Sequence, residues 1–133
     1  MDRIKEGSVH GRFQPFHNGH LDYVLEAFSR ADFLWVGLTQ IFTPTSDNLN
    51  ESGREKATSN PLTFKDRFDL VDAALTDAGI SRERFRITPF PIETPERLKQ
   101  FIPTGCMCFT TLVNEWNDVK VKRLNDNGFP TEI

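Results

Sequence analysis

The sequence predicts an α/β domain in which helices cover both faces of a parallel sheet, giving three layers. Segments of strand character alternate with segments of helical periodicity along 133 residues, a length that fits one domain. The continuous apolar run Phe33–Leu38 is typical of a parallel strand buried on both faces. A strand, a loop and a helix precede this run, which predicts a right-handed βαβ unit.

Loops of unlike composition interrupt the first half of the chain. Ser8–Gly11 has the character of a strand end, and Gly11–Gly19, rich in Gly, Pro and Asn, predicts a loop. Apolar residues recur at helical spacing from His20 to Ala31, with Asn18 as the expected N-cap. The polar segment Thr39–Asn60 predicts a long loop, which in a compact domain is usually functional or disordered. Whether it forms a lid or a partner surface is open at this point.

The second half of the chain continues the alternation of helices and strands. Asn60–Thr63 supplies a cap and a proline for the first turn of a helix, and Gly128 predicts the end of the last helix. The expected elements are a helix at Pro61–Ala78, a strand at Arg84–Pro91, a short helix at Pro95–Ile102, a strand at Cys106–Thr111 and a helix at Glu115–Asn127.

Charge and hydropathy limit the classes of partner. The formal net charge of −3 argues against a broad nucleic-acid surface, although it allows a small anionic ligand held by a local group of donors. No apolar stretch approaches the roughly 20 residues that cross a bilayer, and Met1–Gly7 is too short and charged for a secretory signal. We therefore expect a cytoplasmic protein with no nucleic-acid or membrane partner, and we leave homo-oligomerisation open.

The two cysteines flank Met107 on a predicted strand. Residues at i and i+2 of a strand point the same way and rarely form a disulfide, so we expect no bond between Cys106 and Cys108. No His or further Cys lies near them in the sequence, which argues against a zinc site. Small buried thiols in a reducing compartment are the simplest interpretation.

The segment Gly11–His20 carries the strongest functional signal. It places two imidazoles three residues apart where a strand gives way to a helix, a position at which helix N–H groups and partial positive charge favour phosphates. Gly11 is expected to let the backbone approach a ligand, and Gly19 to relieve crowding at the helix start. Arg12 can bind two phosphate oxygens at once. These residues predict a nucleotidyltransferase.

His17 and His20 are expected to be neighbours, with His17 just before the helix and His20 in its first turn. Imidazoles that donate to phosphate oxygens can stabilise the charge that develops as pyrophosphate leaves, without acting as acid or base. Two alternatives stay open: a metal pair completed by Asp22 or His10, and ordinary surface histidines.

The segment Gly11–His20 also resembles the signature of the HxGH nucleotidyltransferase superfamily, and above all that of the archaeal-type nicotinamide mononucleotide adenylyltransferases. Asn60–Arg67 resembles the second conserved block of that family, and the resemblance covers about residues 8–127. It implies a doubly wound, Rossmann-like sheet and attack of a phosphate or phosphonate oxygen on the α-phosphorus of a nucleoside triphosphate, with release of pyrophosphate.

The resemblance also implies roles for individual residues. His17, His20 and Arg12 are the expected catalytic residues, and Mg²⁺ would bridge the phosphates, held mainly by the nucleotide itself. Asn60 and Arg67 belong to the second block, where Arg67 has either a ligand-binding or a structural role, such as pairing with a carboxylate. The expected nucleotide- and phosphate-binding residues are Gly11, Arg12, Phe13, Gln14, His17, Gly19 and His20.

Two departures from the family pattern bear on the substrates. The family carries a Ser/Thr-rich motif ending in Arg after its last core strand, whereas Thr131–Ile133 has no Arg after it. We therefore expect residues 1–133 to form a single nucleotidyltransferase domain. Two explanations stay open: the domain is a fragment of a longer chain, cut before its C-terminal phosphate-binding motif, or its triphosphate site is incomplete. The second departure is Glu93–Leu98, which stands where the adenylyltransferases place a nicotinamide-stacking Trp. Trp116 could stack on a base or fill the core.

Three functions compete at this point. The leading hypothesis is transfer of AMP from ATP to a phosphate-bearing acceptor such as nicotinamide mononucleotide. The second is transfer of CMP from CTP to a phospho- or phosphono-alcohol. The third is an inactive nucleotide-binding module.

Overall fold

A computed structural model of the chain describes residues 4–13, 16–40, 62–110 and 116–132. Alternating strands and helices fill these ranges, as the sequence predicts. Two short 3₁₀ helices lie at Arg82–Arg84 and Pro95–Gln100. The main elements are β1 (Ile4–Gly11), α1 (Asn18–Phe28), β2 (Ala31–Leu38), α2 (Phe64–Asp77), β3 (Phe85–Pro89), β4 (Met107–Phe109), α3 (Trp116–Asp126) and β5 (Thr131–Glu132).

The described strands form one parallel sheet in the order β3-β2-β1-β4-β5. The chain builds outward from β1 through β2 to β3, then crosses to the other side for β4 and β5. The order therefore reverses between β1 and β4. This confirms the doubly wound, Rossmann-like α/β class, in which ligands bind beyond the carboxyl ends of the strands at such a reversal.

Two apolar cores lie on opposite faces of the sheet. Alternate strand residues reach opposite faces, so Phe109 joins the core under α1 and α2 while Cys108 joins the other. The first core includes Val9, Val24, Phe28, Leu34, Val36, Val71 and Leu75, and the second includes Phe90, Ile92, Leu98, Leu124 and Phe129. Buried side chains on both faces give the three expected layers.

Several element ends differ from the sequence prediction. The N-cap of α1 is His17, so the expectation for Asn18 was wrong; Asn18 is the first helical residue. Helix α2 begins at Phe64 with Thr63 as its cap, three residues later than expected. Strand β5 was not predicted, because two residues are too few to show a period.

Two further expectations, for Gly128 and for the cysteines, are confirmed. Gly128 follows α3 at φ +90°, a backbone conformation that favours glycine and stops the helix. Cys106 and Cys108 are free and buried, as expected. Within the described ranges, no helix has the length and apolar character needed to cross a membrane.

Candidate functional site

The two histidines of the Gly11–His20 segment form a reciprocal cap at the start of α1. His17 is the N-cap, and its Nδ1 accepts a hydrogen bond from the Gly19 N–H at 3.1 Å. His20, in the first turn, returns the contact, because its Nδ1 accepts from the His17 N–H at 3.2 Å. Histidines thus do here what Ser and Glu do in an ordinary capping box. The predicted proximity of the two rings is confirmed.

This cap also determines which nitrogen of each imidazole ring can donate a hydrogen bond. Their centroids are 3.7 Å apart and their planes differ by 22°, so the rings are stacked. A neutral imidazole whose Nδ1 accepts a hydrogen bond carries its proton on Nε2. Each ring is therefore a donor at Nε2. His17 is exposed and His20 half-buried at the helix N-terminus, whose first turn contains no acidic residue.

The two glycines of the segment make room for aromatic rings. A Cβ at Gly19 would lie 3.0 Å from Cε1 of His17, so glycine there gives the capping ring space, as expected. A Cβ at Gly11 would lie only 2.6 Å from the ring of Phe13. This differs from the expectation of an open backbone at Gly11: the close approach is made by Phe13, which is 1% exposed at φ +51°. The side chain of Phe13 belongs to the core, which leaves only its backbone for a ligand.

Three buried polar atoms lie just beyond the carboxyl ends of neighbouring strands. They are Nη1 of Arg12 after β1, Oγ1 of Thr39 after β2, and Oγ1 of Thr110 after β4. None of the three has a hydrogen-bond partner among the described residues. Buried polar atoms are normally paired, so a group of unpaired donors at the ligand-binding edge points to a polar ligand. Arg12 is where the sequence places a phosphate-binding cation.

Among the described residues, Arg67 binds backbone carbonyl oxygens rather than a carboxylate. Its side chain is fully buried in α2, and its guanidinium donates to the carbonyl oxygens of Arg12 at 3.0 Å, Thr39 at 2.6 Å and Gln40 at 2.6 Å. Burial lowers the pKa of Arg67, yet a guanidinium stays charged at neutral pH. Arg67 therefore joins the chain after β1 to the chain after β2, which is a structural role of the kind that the sequence left open.

A residue that sequence reasoning missed lies between β1 and β4. The Tyr23 hydroxyl accepts from the His10 N–H at 3.2 Å and donates to the Phe109 carbonyl at 2.5 Å. A signal was present: Tyr23 is the single tyrosine of the chain, and it follows His20 by three residues on the same helix. Residues at this spacing share one helix face.

Other predicted site residues cannot be placed. Gln14, Asn60 and most of the Thr39–Asn60 segment lie outside the described residues, as does the side chain of Trp116. Within the described ranges no group of three or more His, Cys, Asp or Glu residues could hold a metal ion. His10, named above as a possible ligand, stacks on Phe90 at 4.6 Å within the second core.

The combined geometry defines a class of site. A guanidinium, two imidazole donors and a helix N-terminus follow one another directly after β1, the strand at which the order reverses. Such a site favours the phosphate chain of a nucleotide. The model of the cytidylyltransferase-like family matches residues 9–125, and the chain belongs to that family.

Relatives of known name are nucleotidyltransferases. The chain is 42% identical to the phosphonoformate cytidylyltransferase of Streptomyces viridochromogenes over 96% of its own length and 70% of that protein. It is 33% identical to the nicotinamide-nucleotide adenylyltransferase of Saccharolobus solfataricus, over 66% of this chain and 45% of the relative. The sequence prediction of a nucleotidyltransferase is thereby confirmed at the level of the reaction class.

A solved structure shares the fold. The bifunctional NMN adenylyltransferase/ADP ribose pyrophosphatase of Francisella tularensis, complexed with AMP and a manganese ion, matches with a TM-score of 0.70 at 16% identity. The match covers 98% of this chain and 37% of that one. The matches thus cover less than half of each of these two adenylyltransferases.

Proposed function

We propose that this protein transfers CMP from CTP to a small acceptor that carries a phosphonate or phosphate, with release of pyrophosphate. The observation that carries nucleotidyl transfer is the reciprocal cap, which directs two Nε2 donors from the tip of α1. The choice of CTP and of a phosphonate rests on the 42% identity to a phosphonoformate cytidylyltransferase.

The proposed reaction is an in-line displacement at phosphorus. An anionic oxygen of the acceptor forms a bond to the α-phosphorus, while the bond from that phosphorus to the α,β-bridging oxygen breaks. Pyrophosphate leaves with the electron pair of the broken bond. Because the attacking oxygen is already an anion, this step needs no general base, and catalysis consists of positioning and charge stabilisation.

The residues at the tip of α1 supply that stabilisation. Nε2–H of His17 and of His20 would donate to non-bridging oxygens of the α- and β-phosphates, where charge grows as the bridge breaks. The helix N-terminus adds partial positive charge. The unpaired Nη1 of Arg12 would bind a further phosphate oxygen.

Magnesium is part of the proposal through the nucleotide alone. In the part of the chain that the structure describes, no group of three ligating side chains would hold the ion. Mg²⁺ would neutralise charge on the triphosphate to which it is bound, and no step above depends on a protein ligand to it.

A second candidate is transfer of AMP from ATP to a nucleotide acceptor. It is supported by the nicotinamide-nucleotide adenylyltransferases that the chain matches, at 33% identity in Saccharolobus solfataricus and 28% in Thermococcus kodakarensis. Each of these matches covers 66% of the chain, against 96% for the cytidylyltransferase.

Titration calorimetry and pyrophosphate release separate these candidates. CTP and ATP are titrated separately with Mg²⁺, and then a panel of phosphonates, phospho-alcohols and nicotinamide mononucleotide is assayed for pyrophosphate. We expect CTP to bind more tightly and to give pyrophosphate with a phosphonate or phosphate acceptor. Turnover of ATP alone would transfer the assignment to the adenylyltransferase, and tight nucleotide binding without turnover would indicate a binding module.

Substitutions at the two histidines test the mechanism. His20→Ala is expected to lower kcat about 100- to 1000-fold, the loss typical of one donor to a developing oxyanion. His17→Asn removes the Nε2 donor but keeps a side chain that caps helices well, so kcat should fall while the melting temperature stays near that of the wild type.

His17→Ala is the matched comparison for His17→Asn. It should lose kcat to a similar extent and, in addition, about 1 kcal/mol of unfolding free energy with the lost cap. Wild-type kcat in all three variants would show that the imidazoles have no part in the reaction.

A further inference from the structure

The hydrogen-bond ladder between β1 and β4 changes at one rung. Ser8 is opposite Cys108 in the parallel register, and the next pair along would be Val9 and Phe109, which are not paired. The N–H groups of Cys108 and Thr110 donate to the carbonyls of Pro130, just before β5, and of Glu132 in β5. The N–H and C=O groups of the alternate residue Phe109 therefore face β1.

The rung that would come next joins the His10 N–H to the Phe109 carbonyl. The Tyr23 hydroxyl occupies this rung: it accepts from His10 at 3.2 Å and donates to Phe109 at 2.5 Å. One backbone hydrogen bond of about 2.9 Å is thus replaced by two in series through a phenol oxygen. The hydroxyl therefore takes the place of the direct backbone bond, and the pairing of β1 with β4 ends there, where the strand order reverses.

Tyr23 is suited to this position by chemistry and by its place in α1. Its aromatic ring packs against the first core while its hydroxyl reaches the backbone, a combination that Phe lacks. Burial raises the pKa of Tyr23, so the hydroxyl keeps the proton that it donates to Phe109. Because Tyr23 follows His20 by less than one helical turn, its contacts also fix the height of the first turn of α1 above the opening.

We propose that Tyr23 is a positioning residue: its hydroxyl, inserted between His10 and Phe109, opens the crevice between β1 and β4 and sets the two histidines of α1 above it. This inference rests on the proposed function. Tyr23 itself need not contact the nucleotide. It acts through the separation of two strands and the placement of the helix that carries the imidazoles.

The substitution Tyr23→Phe tests this role with little change in packing. Loss of the hydroxyl allows His10 and Phe109 to close the rung, which narrows the crevice and shifts the first turn of α1. A displacement near 1 Å can cost about 100-fold in rate, so we expect kcat per folded molecule to fall roughly 10- to 100-fold. The dissociation constant of CTP should rise by a smaller factor.

Two controls separate positioning from general stability. Phe28→Leu removes part of a buried ring at the other end of α1, so it should lower the melting temperature while kcat per folded molecule is kept. Because the chain has one tyrosine, biosynthetic replacement by 3-fluorotyrosine alters Tyr23 alone and retains the hydroxyl. That protein should keep most of the wild-type kcat, which a damaged or misfolded site would not.

The outcomes are distinguishable from failure of the proposed function. If the wild type catalyses no nucleotidyl transfer, the proposed function is overturned. The role of Tyr23 is then tested by CTP binding, and a larger CTP dissociation constant for Tyr23→Phe than for the wild type supports the positioning role. Equal CTP constants overturn that role. If the wild type is active, two results also overturn the positioning role. One is a kcat per folded molecule in Tyr23→Phe equal to that of the wild type. The other is a loss of kcat in Phe28→Leu as large as that in Tyr23→Phe.

Discussion

The two flanks of β1 are built in opposite ways. On the side of β2, pairing runs as far as Gly11 and Leu38, and the Thr39 N–H continues the ladder to the Gly11 carbonyl. On the side of β4, pairing ends at Ser8 and Cys108, three residues earlier. One strand therefore has a closed flank and an open flank, and the open flank coincides with the reversal of strand order. A ligand-binding crevice here depends on where pairing stops as much as on which residues line it.

Different side chains maintain the two flanks. Arg67 closes the β2 side by donating to the carbonyls of Arg12, Thr39 and Gln40. Tyr23 opens the β4 side by a single oxygen atom. The closed flank gives a fixed edge from which the loop that carries the histidines departs, and the open flank gives the space into which the phosphates are proposed to enter.

The largest predicted effect comes from removing the donor on the closed flank. Arg67→Met keeps a side chain of similar length but leaves carbonyl oxygens without donors in a buried environment. Hydrogen bonds from charged groups contribute roughly 1.5–3 kcal/mol each, so we expect a loss of at least about 3 kcal/mol of unfolding free energy in urea titrations.

Arg67→Lys is the matched variant for this prediction. A lysine keeps the charge but lacks the planar fork that reaches four carbonyls, including that of Thr63, so most of the contribution of Arg67 to stability should still be lost. If Arg67→Lys is as stable as the wild type, the charge alone matters and the closed flank does not depend on the guanidinium geometry.

The reactivity of the two thiols tests how far the opening between β1 and β4 extends along the strands. Cys108 lies at the last rung before the opening, and the Ser8 hydroxyl donates to its sulfur at 2.9 Å. Burial raises the pKa of Cys106 to about 12 and that of Cys108 to about 11. Because the thiolate is the reactive form, both cysteines should react at least about 100-fold more slowly than a free thiol at pH 8.

The same two thiols predict a loss of stability at high pH. Because the pKa of both thiols is raised in the folded state, the unfolded chain releases its thiol protons at lower pH than the folded protein does. The contribution of the protonated thiols to the free energy of unfolding is therefore complete below about pH 9. It should then fall as pH rises towards 11 and 12, and urea unfolding across this range checks it. Rapid alkylation of the native protein at pH 8 would show that the opening reaches Cys108.

The smallest predicted effect on stability comes from an exposed ion pair, which serves as a control for the substitutions at the two flanks of β1. Arg82 donates to Asp72 at 2.8 and 3.1 Å, which lowers the pKa of that carboxyl. The contribution of this ion pair to the free energy of unfolding is present at neutral pH, and it is lost as the pH falls through the pKa of Asp72 in the folded protein. Since the pair is exposed, Arg82→Ala should lower the melting temperature at pH 7 by about 2 °C or less, and less still at pH 2.5. A change in kcat would contradict the assignment of the site to the flanks of β1.

The sequence predicted those features that depend on local spacing. Periodicity located α1 and the buried strand at Phe33–Leu38, and the spacing of His17 and His20 predicted that their rings meet. A strand of two residues, as at Thr131–Glu132, is too short for an alternation to be recognised. The choice of His17 over Asn18 as N-cap depends on a ring orientation that spacing does not encode.

The contacts that define the flanks could not be predicted for a different reason. Tyr23 bridges residues that lie 13 and 86 positions away in the chain, and the partners of Arg67 are backbone carbonyls, which carry no residue-specific signal. Both depend on how separate segments meet in the folded sheet. The resemblance of the second block indicated that Arg67 matters without indicating how.

A crystal structure with CTP and Mg²⁺ bound tests the central claim most directly. We predict that the triphosphate lies over the crevice between β1 and β4, with α- or β-phosphate oxygens within hydrogen-bonding distance of Nε2 in both His17 and His20. A triphosphate seated on the β2 side of β1, or imidazoles turned away from it, would contradict the account.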